Sequence, residues 1–166
     1  MARKWWTLIT VSIATFMLLL DVTIVNVALP EIERELGASL TDLQWVVDSY
    51  VLALAALTLM AGSLADRLGR KLVFTAGLAA FSAASLLAGF ASDALTLNIA
   101  RGLQGIGGAA MFGTVLALIA QEFAPRERKT ALGIWGASVG VGVAVGPLVG
   151  GLLVDSLGWG WIFFVN

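Results

Sequence analysis

The sequence has 166 residues, 59% of them hydrophobic and 13% charged, with a formal net charge of −1 and a mean hydropathy of +0.93. A soluble domain carries about a quarter of its residues charged, so the composition excludes one and predicts an all-α integral membrane protein. With no cysteine and no histidine, disulfides and thiolate metal sites are excluded, and proton chemistry near neutral pH falls to carboxylates.

Arg3 and Lys4 precede an apolar stretch over residues 5–29, interrupted only by Asp21. As a helix it would span roughly 37 Å at about 1.5 Å per residue, too long for a signal peptide, and no small-residue cleavage site follows it. Residues 30–40 hold Glu31, Glu33, Arg34 and Glu35 and read as a short acidic connection. The second span, residues 42–68, contains Asp48; Thr41 or Asp42 would cap its start, and Gly69 suits the left-handed residue that ends it. Residues 72–90 form an uncharged third span, followed by a turn at Ser92 and Asp93. The fourth, residues 95–120, contains Arg101; a basic connection with Pro125, Arg126, Arg128 and Lys129 leads to the fifth, residues 130–154, the richest in glycine. A turn at 155–158 leads to a sixth apolar stretch at 159–166, too short to cross a bilayer. The expected fold is an N-terminal half-bundle of five complete transmembrane helices and the start of a sixth, a piece of a longer protein that cannot transport alone.

Residues 62–71 read Gly-Ser-Leu-Ala-Asp-Arg-Leu-Gly-Arg-Lys, with four charges in the last six positions between two apolar runs. Such a charged break belongs at a membrane surface, and its basic residues place it on the cytoplasmic side. The N-terminus is then cytoplasmic too. Of ten basic residues, eight fall inside, Arg34 falls outside and Arg101 lies within a span. The six tryptophans lie near the proposed span ends, as interfacial anchors do.

Asp21, Asp48 and Arg101 are the ionisable groups placed inside spans. Each costs about 2.5–3.5 kcal/mol at mid-helix on insertion scales, so a structural role alone needs a compensating partner. All three lie roughly 5–10 Å toward the outer face from the span centres. Side chains lean toward a helix's N-terminus, which tilts Asp21 inward and the other two outward. Coupling through a water-filled cavity is therefore expected, rather than a direct ion pair. A carboxylate in such a layer can exchange a proton for a cationic ligand.

Arg101, Gln104, Gly105, Gly108 and Phe112 recur at helical spacing, making one polar, small-residue face suited to a cavity or a tight contact. Gly142, Gly146 and Gly150 repeat every four residues around Pro147, which allows close backbone approach and a bend. Asp66 falls in the last turn of its helix, where an acid is disfavoured, so it is expected either to pair with a cation, Arg70 or Arg128, or to face another helix's N-terminus. Arg67 and Lys71 read as topology determinants.

Taken together these residues resemble the major facilitator superfamily, in its drug/proton antiporter branch of the fourteen-helix type, over nearly the whole chain. Residues 20–30, Leu-Asp-Val-Thr-Ile-Val-Asn-Val-Ala-Leu-Pro, are similar to that branch's first-helix motif. Residues 62–71 resemble the loop motif G-x-L-a-D-r-x-G-r-k. Leu97, Arg101, Gln104, Gly105, Gly107 and Ala110 fit the fourth-helix motif. Gly133, Gly142, Gly146, Pro147, Gly150 and Gly151 fit the fifth-helix antiporter motif, and residues 159–166 resemble the start of the branch's sixth helix.

The resemblance implies a transporter of twelve or fourteen helices, built from three-helix inverted repeats around a central cavity. Asp21 and Arg101, with Gln104, would serve proton and substrate coupling, and Asp48 would attract a cationic substrate. Gly62, Asp66, Arg67, Gly69, Arg70, Lys71 and Arg128 would form a cytoplasmic latch against a C-terminal half-bundle. Gly105, Gly142, Gly146, Pro147, Gly150 and Gly151 would pack helices and seal the path during antiport. The implied function is proton-coupled multidrug efflux of amphipathic, cationic compounds from the cell membrane. A proton gradient supplies the energy, and neither a cofactor nor a nucleic-acid partner is implied. Two other readings stand beside it: a facilitator moving a metabolite or sugar by symport, and a non-transporting membrane scaffold. A membrane enzyme is disfavoured, since no nucleophile has a visible base.

Overall fold

The structure, a computed structural model, describes residues 3–166. The helices are α1 (Arg3–Leu36), α2 (Leu40–Leu68), α3 (Arg70–Gly89), α4 (Ala94–Glu122), α5 (Pro125–Leu157) and a single turn, α6 (Trp161–Phe164). By length and composition, α1 to α5 are all able to cross a membrane. Around the proposed spans of 5–29, 42–68, 95–120 and 130–154 the helices run further, because water at a membrane surface lets an amphipathic end continue as helix.

The largest difference is in α1. It passes through Pro30 to Leu36, and the acidic connection expected over 30–40 shrinks to Gly37, Ala38 and Ser39. Arg34 pairs with Glu31 one turn away and lies 3.6 Å from Glu35, so the acidic stretch is a charged helical end. The Arg34 hydrogen bond holds the Glu31 carboxyl below its ordinary range.

Ser39, not Thr41 or Asp42, caps α2. Asp42 N–H donates to Ser39 Oγ at 3.2 Å, and Ser39 N–H donates to Asp42 Oδ2 at 2.9 Å, a reciprocal capping box. The Ser39 hydroxyl and backbone N–H hold the Asp42 carboxyl below its usual range. A depressed carboxylate stabilises the fold above its unfolded value, about 3.9, and that contribution is lost as pH falls through the lower folded value. Amide exchange in the first turn of α2 is therefore expected to accelerate below about pH 3.9. Ser39→Ala should weaken this end by about 1 kcal/mol and bring the same acceleration at neutral pH.

Gly69 both ends α2 and begins α3. Its φ of 101° and ψ of 127° favour glycine, and its N–H donates to Ala65 O at 2.9 Å. At the other end of α3, Asp93 Oδ1 accepts from Thr96 N–H at 2.9 Å and caps α4.

Helix α4 lies between α2 and α3, while α1 packs along α5 and touches α4. About half of the most apolar window of α1 and of α4 is buried, against 17% in α2 and in α5. The latter two therefore turn broad apolar faces outward, including Leu52, Leu59, Leu148 and Leu152.

Glycines make these contacts possible. A Cβ on Gly107 would lie 2.6 Å from Phe81 N and 2.8 Å from Gly77 O on α3, and one on Gly105 would overlap Tyr50 O on α2. On α5, Gly142, Gly146 and Gly150 meet α1 at Phe16, Thr23 and Ile24, as the four-residue spacing predicts. Gly151 has nothing within 4 Å of its missing Cβ and takes no part in this contact.

Ion pairs close the bundle at the Gly69 end, where Arg3 lies 3.3 Å from Glu122 and Lys4 lies 2.6 Å from Glu127. At the other end Trp159 Nε1 donates to Glu35 Oε2 at 2.8 Å. Trp135 departs from the pattern of interfacial tryptophans, since its Nε1 donates to Thr15 Oγ1 at 2.9 Å and ties α5 to α1.

Candidate functional site

Asp21 sits midway along α1 with no solvent exposure, and Arg101, on α4, is 1% exposed. Arg101 Nη1 donates to Asp21 Oδ2 at 2.5 Å, a direct ion pair in place of the water-mediated coupling expected from the opposed side-chain tilts. The long arginine stem spans the offset that the tilts create.

Every element around the pair contributes to holding it. Arg101 Nε donates to Val46 O on α2 at 2.9 Å, and its Nη1 also reaches Gln104 Oε1 at 3.0 Å. The guanidinium carbon lies 4.2 Å from the centre of the Tyr50 ring and 5.7 Å from that of Phe163, contacts that favour a desolvated cation. Tyr50 is itself fixed by its hydroxyl, which donates to Leu18 O at 3.3 Å. Gln104 Nε2 donates to Asp21 Oδ1 at 3.2 Å and to Ser85 Oγ on α3 at 3.0 Å. Asn166 Nδ2, just beyond α6, donates to Asp21 Oδ1 at 3.0 Å.

A buried pair gains from low dielectric only when its remaining donors and acceptors are met, and here α1, α2, α3, α4 and the residues after α6 meet them. A proton bound by Asp21 would remove the counter-charge of a buried arginine. Protonation and helix packing are therefore linked through one carboxylate.

Sequence reasoning places Asp21, Arg101 and Gln104 at this site, and the structure joins them. Asp48 stands apart. It is exposed and lines a separate cleft of about 380 Å³ with Leu29, Leu40, Leu43, Gln44 and Val47.

In the 62–71 segment, Asp66 accepts from Arg70 at 3.0 Å while its side chain stays 64% exposed, and Arg70 Nη1 also donates to Ala117 O on α4 at 3.1 Å. Arg128 does not reach Asp66. It donates to Phe123 O at 3.0 Å and Ala120 O at 2.6 Å, satisfying carbonyls left free at the end of α4. A Cβ on Gly62 would lie 3.4 Å from Gly113 O, Arg67 and Lys71 are exposed, and Pro147 lies on the outward face of α5.

Tyr50, Ser85 and Asn166 were not singled out by sequence reasoning. Tyr50 is the sole tyrosine of the chain and lies inside a span, an unusual place for a residue enriched at interfaces. That signal was available. Ser85 is one small polar residue in an apolar run, and Asn166 is distinguished by nothing local.

The Major Facilitator Superfamily profile matches residues 11–166 of this chain. The chain belongs to the Major Facilitator Superfamily. The superfamily is one of multi-pass membrane transporters, in keeping with five helices here that are long and apolar enough to cross a membrane. Within the superfamily it is 47% identical over 165 residues to the puromycin resistance protein pur8 of Streptomyces alboniger, covering 99% of this chain and 33% of that protein. It is 42% identical to the tetracenomycin C resistance and export protein of Streptomyces glaucescens, covering 99% and 30%. It is also 42% identical to the multidrug transporter protein MdtP of Bacillus subtilis, covering 93% and 28%. The chain thus spans about a third of the length of these relatives. Its fold matches that of a bacterial homologue of the human lysosomal transporter Spinster, solved in an inward-facing, unoccupied conformation. There the TM-score is 0.78 at 24% identity, covering 96% of this chain and 36% of that one.

Proposed function

We propose that this chain is the N-terminal half-bundle of a proton-coupled multidrug exporter, exchanging protons for amphipathic, cationic compounds. The observation that carries the reading is the Asp21–Arg101 pair, sealed from solvent within an apolar bundle. An ionisable pair at that depth is costly and marks a coupling path more often than a scaffold. Relatives named for puromycin resistance, tetracenomycin C export and multidrug transport support the same direction.

In this reading the Gly69 end, rich in Arg67, Arg70, Lys71, Arg126, Arg128 and Lys129, faces the cytoplasm. Asp48, exposed beside its own cleft, attracts the cation electrostatically. The Asp66–Arg70 pair latches against the C-terminal half, and the α1–α5 glycine seam with Pro147 limits leak. The outward faces of α2 and α5 meet that second half. No cofactor is needed, because the proton gradient supplies the energy.

The deciding experiment measures proton movement in the full-length protein in detergent on addition of a lipophilic drug cation. Exchange predicts proton release upon binding. Proton uptake would point instead to symport, and no proton movement with intact drug binding would remove the coupling role from Asp21.

A further inference from the structure

Within these helices the Asp21–Arg101 pair stands alone at its depth. Helix α1 has no other ionisable residue between Lys4 and Glu31, α3 has none between Lys71 and Asp93, α4 has only Arg101 between Asp93 and Glu122, and α5 has none between Lys129 and Asp155. The stretch from Trp159 to Asn166 has none either. On α2 the candidates are Asp48, exposed beside its own cleft, and Tyr50, a fully buried phenol that is neutral at physiological pH. When a proton from water adds to Asp21, no second acid of these helices takes over as counter-charge to the guanidinium. A buried cation without one is strongly unfavourable, so the neutral partners that remain help decide how readily Asp21 accepts its proton.

Those partners are Val46 O, 2.9 Å from Arg101 Nε, Gln104 Oε1, 3.0 Å from Nη1, and the Tyr50 ring, whose centre lies 4.2 Å from the guanidinium carbon. The Phe163 ring stands further off, at 5.7 Å. An aromatic face is electron-rich. It draws weakly on an ion pair, which is neutral as a whole, and strongly on a lone, desolvated guanidinium. The Tyr50 ring is also held in place. Its hydroxyl donates to Leu18 O at 3.3 Å, three residues before Asp21 on α1, and Gly105 admits its backbone, since a Cβ there would overlap Tyr50 O.

Resting on the coupling reading above, we propose that Tyr50 is a positioning residue whose ring holds Arg101 in place while Asp21 carries its proton. The ring favours the proton-bound state of the site over the ionised one, because only the former leaves the guanidinium's charge unbalanced. Arg101 can then stay on α2 and α4 through a cycle of proton binding and release, and the hydroxyl keeps the ring registered to the helix that takes the proton.

The test is the pH dependence of the Asp21 carboxylic band in infrared difference spectra of the full-length protein in lipid, with the band assigned by its loss in Asp21→Asn. Tyr50→Leu removes the ring, and the band should then reach half height about one pH unit lower than in the unmodified protein, a roughly tenfold loss of proton affinity. Tyr50→Phe keeps the ring and drops only the hydroxyl, so it should restore most of that shift. Should the leucine variant fail to fold, phenylalanine carrying one, two or three ring fluorines at position 50 asks the same question at nearly constant shape. Each fluorine withdraws charge from the ring face and should lower the half-height pH further. A half-height pH unmoved in Tyr50→Leu, or flat across the fluorinated series, overturns the proposal. So does a shift in Tyr50→Phe as large as that in Tyr50→Leu, which would hand the role to the hydroxyl. If no Asp21 band appears at any pH that supports export, the coupling reading itself fails and takes this inference with it.

Discussion

Asp21→Asn in the full-length protein is expected to abolish proton-driven drug accumulation in inverted vesicles while the protein still reaches the membrane. The substitution keeps the shape and leaves one oxygen for Arg101, but it cannot ionise. It also turns an accepting Oδ1 into an NH₂ group facing Gln104 Nε2 and Asn166 Nδ2. Loss of those contacts should destabilise the bundle by about 1–3 kcal/mol. Asp21→Ala should cost more, about 3–5 kcal/mol, because it strands a buried guanidinium. A double variant, Asp21→Leu with Arg101→Met, separates the two effects: a buried pair replaced together by apolar residues is often neutral or stabilising. It should melt near the parent temperature and still fail to export. Export with normal proton dependence in that double variant would reduce the pair to a packing device.

The second large effect is steric. Gly107→Ala is expected to leave little folded protein, because the added Cβ would lie 2.6 Å from Phe81 N, 2.8 Å from Gly77 O and 2.9 Å from Phe81 Cα, all backbone atoms that cannot turn aside. Overpacking of this kind costs about 1–3 kcal/mol or more, and here it would push α3 off α4. Gly151→Ala is the control. Nothing lies within 4 Å of its Cβ position, and its backbone needs no positive φ, so the exchange should be neutral or slightly stabilising. Fluorescence-detected size exclusion after heating would rank the two variants, and equal melting would refute the packing argument.

The helices were legible because lipid leaves the backbone no other partner, so apolar length translates almost directly into a span. Helix ends were less so. Pro30 reads as a stop, yet proline removes a single hydrogen bond, and the flanking Glu31 and Arg34 carry α1 onward to Leu36. Ser39, Thr41 and Asp42 all suit a cap, and the choice among them depends on where α2 is pinned by its packing.

At the site, the cost of burying charge pointed to Asp21 and Arg101, but their direct contact depends on rotation and rotamer. Ser85 and Asn166 enter the network through α3 and the α6 region packing at one level, a tertiary fact that no local pattern carries. Glycine spacing marked Gly142, Gly146 and Gly150 as a face for close approach without naming the partner helix; these three meet α1, while Gly151, part of the same motif, faces away.

Gly69 leaves a single residue between α2 and α3. Two rods joined through one backbone unit have little length to spare, so the end of α2 cannot travel without carrying the start of α3 with it. The elbow tolerates no lengthening or side chain without distortion, since its φ of 101° belongs to glycine. Whatever displaces the charged tip therefore displaces the adjoining ends of both rods at once.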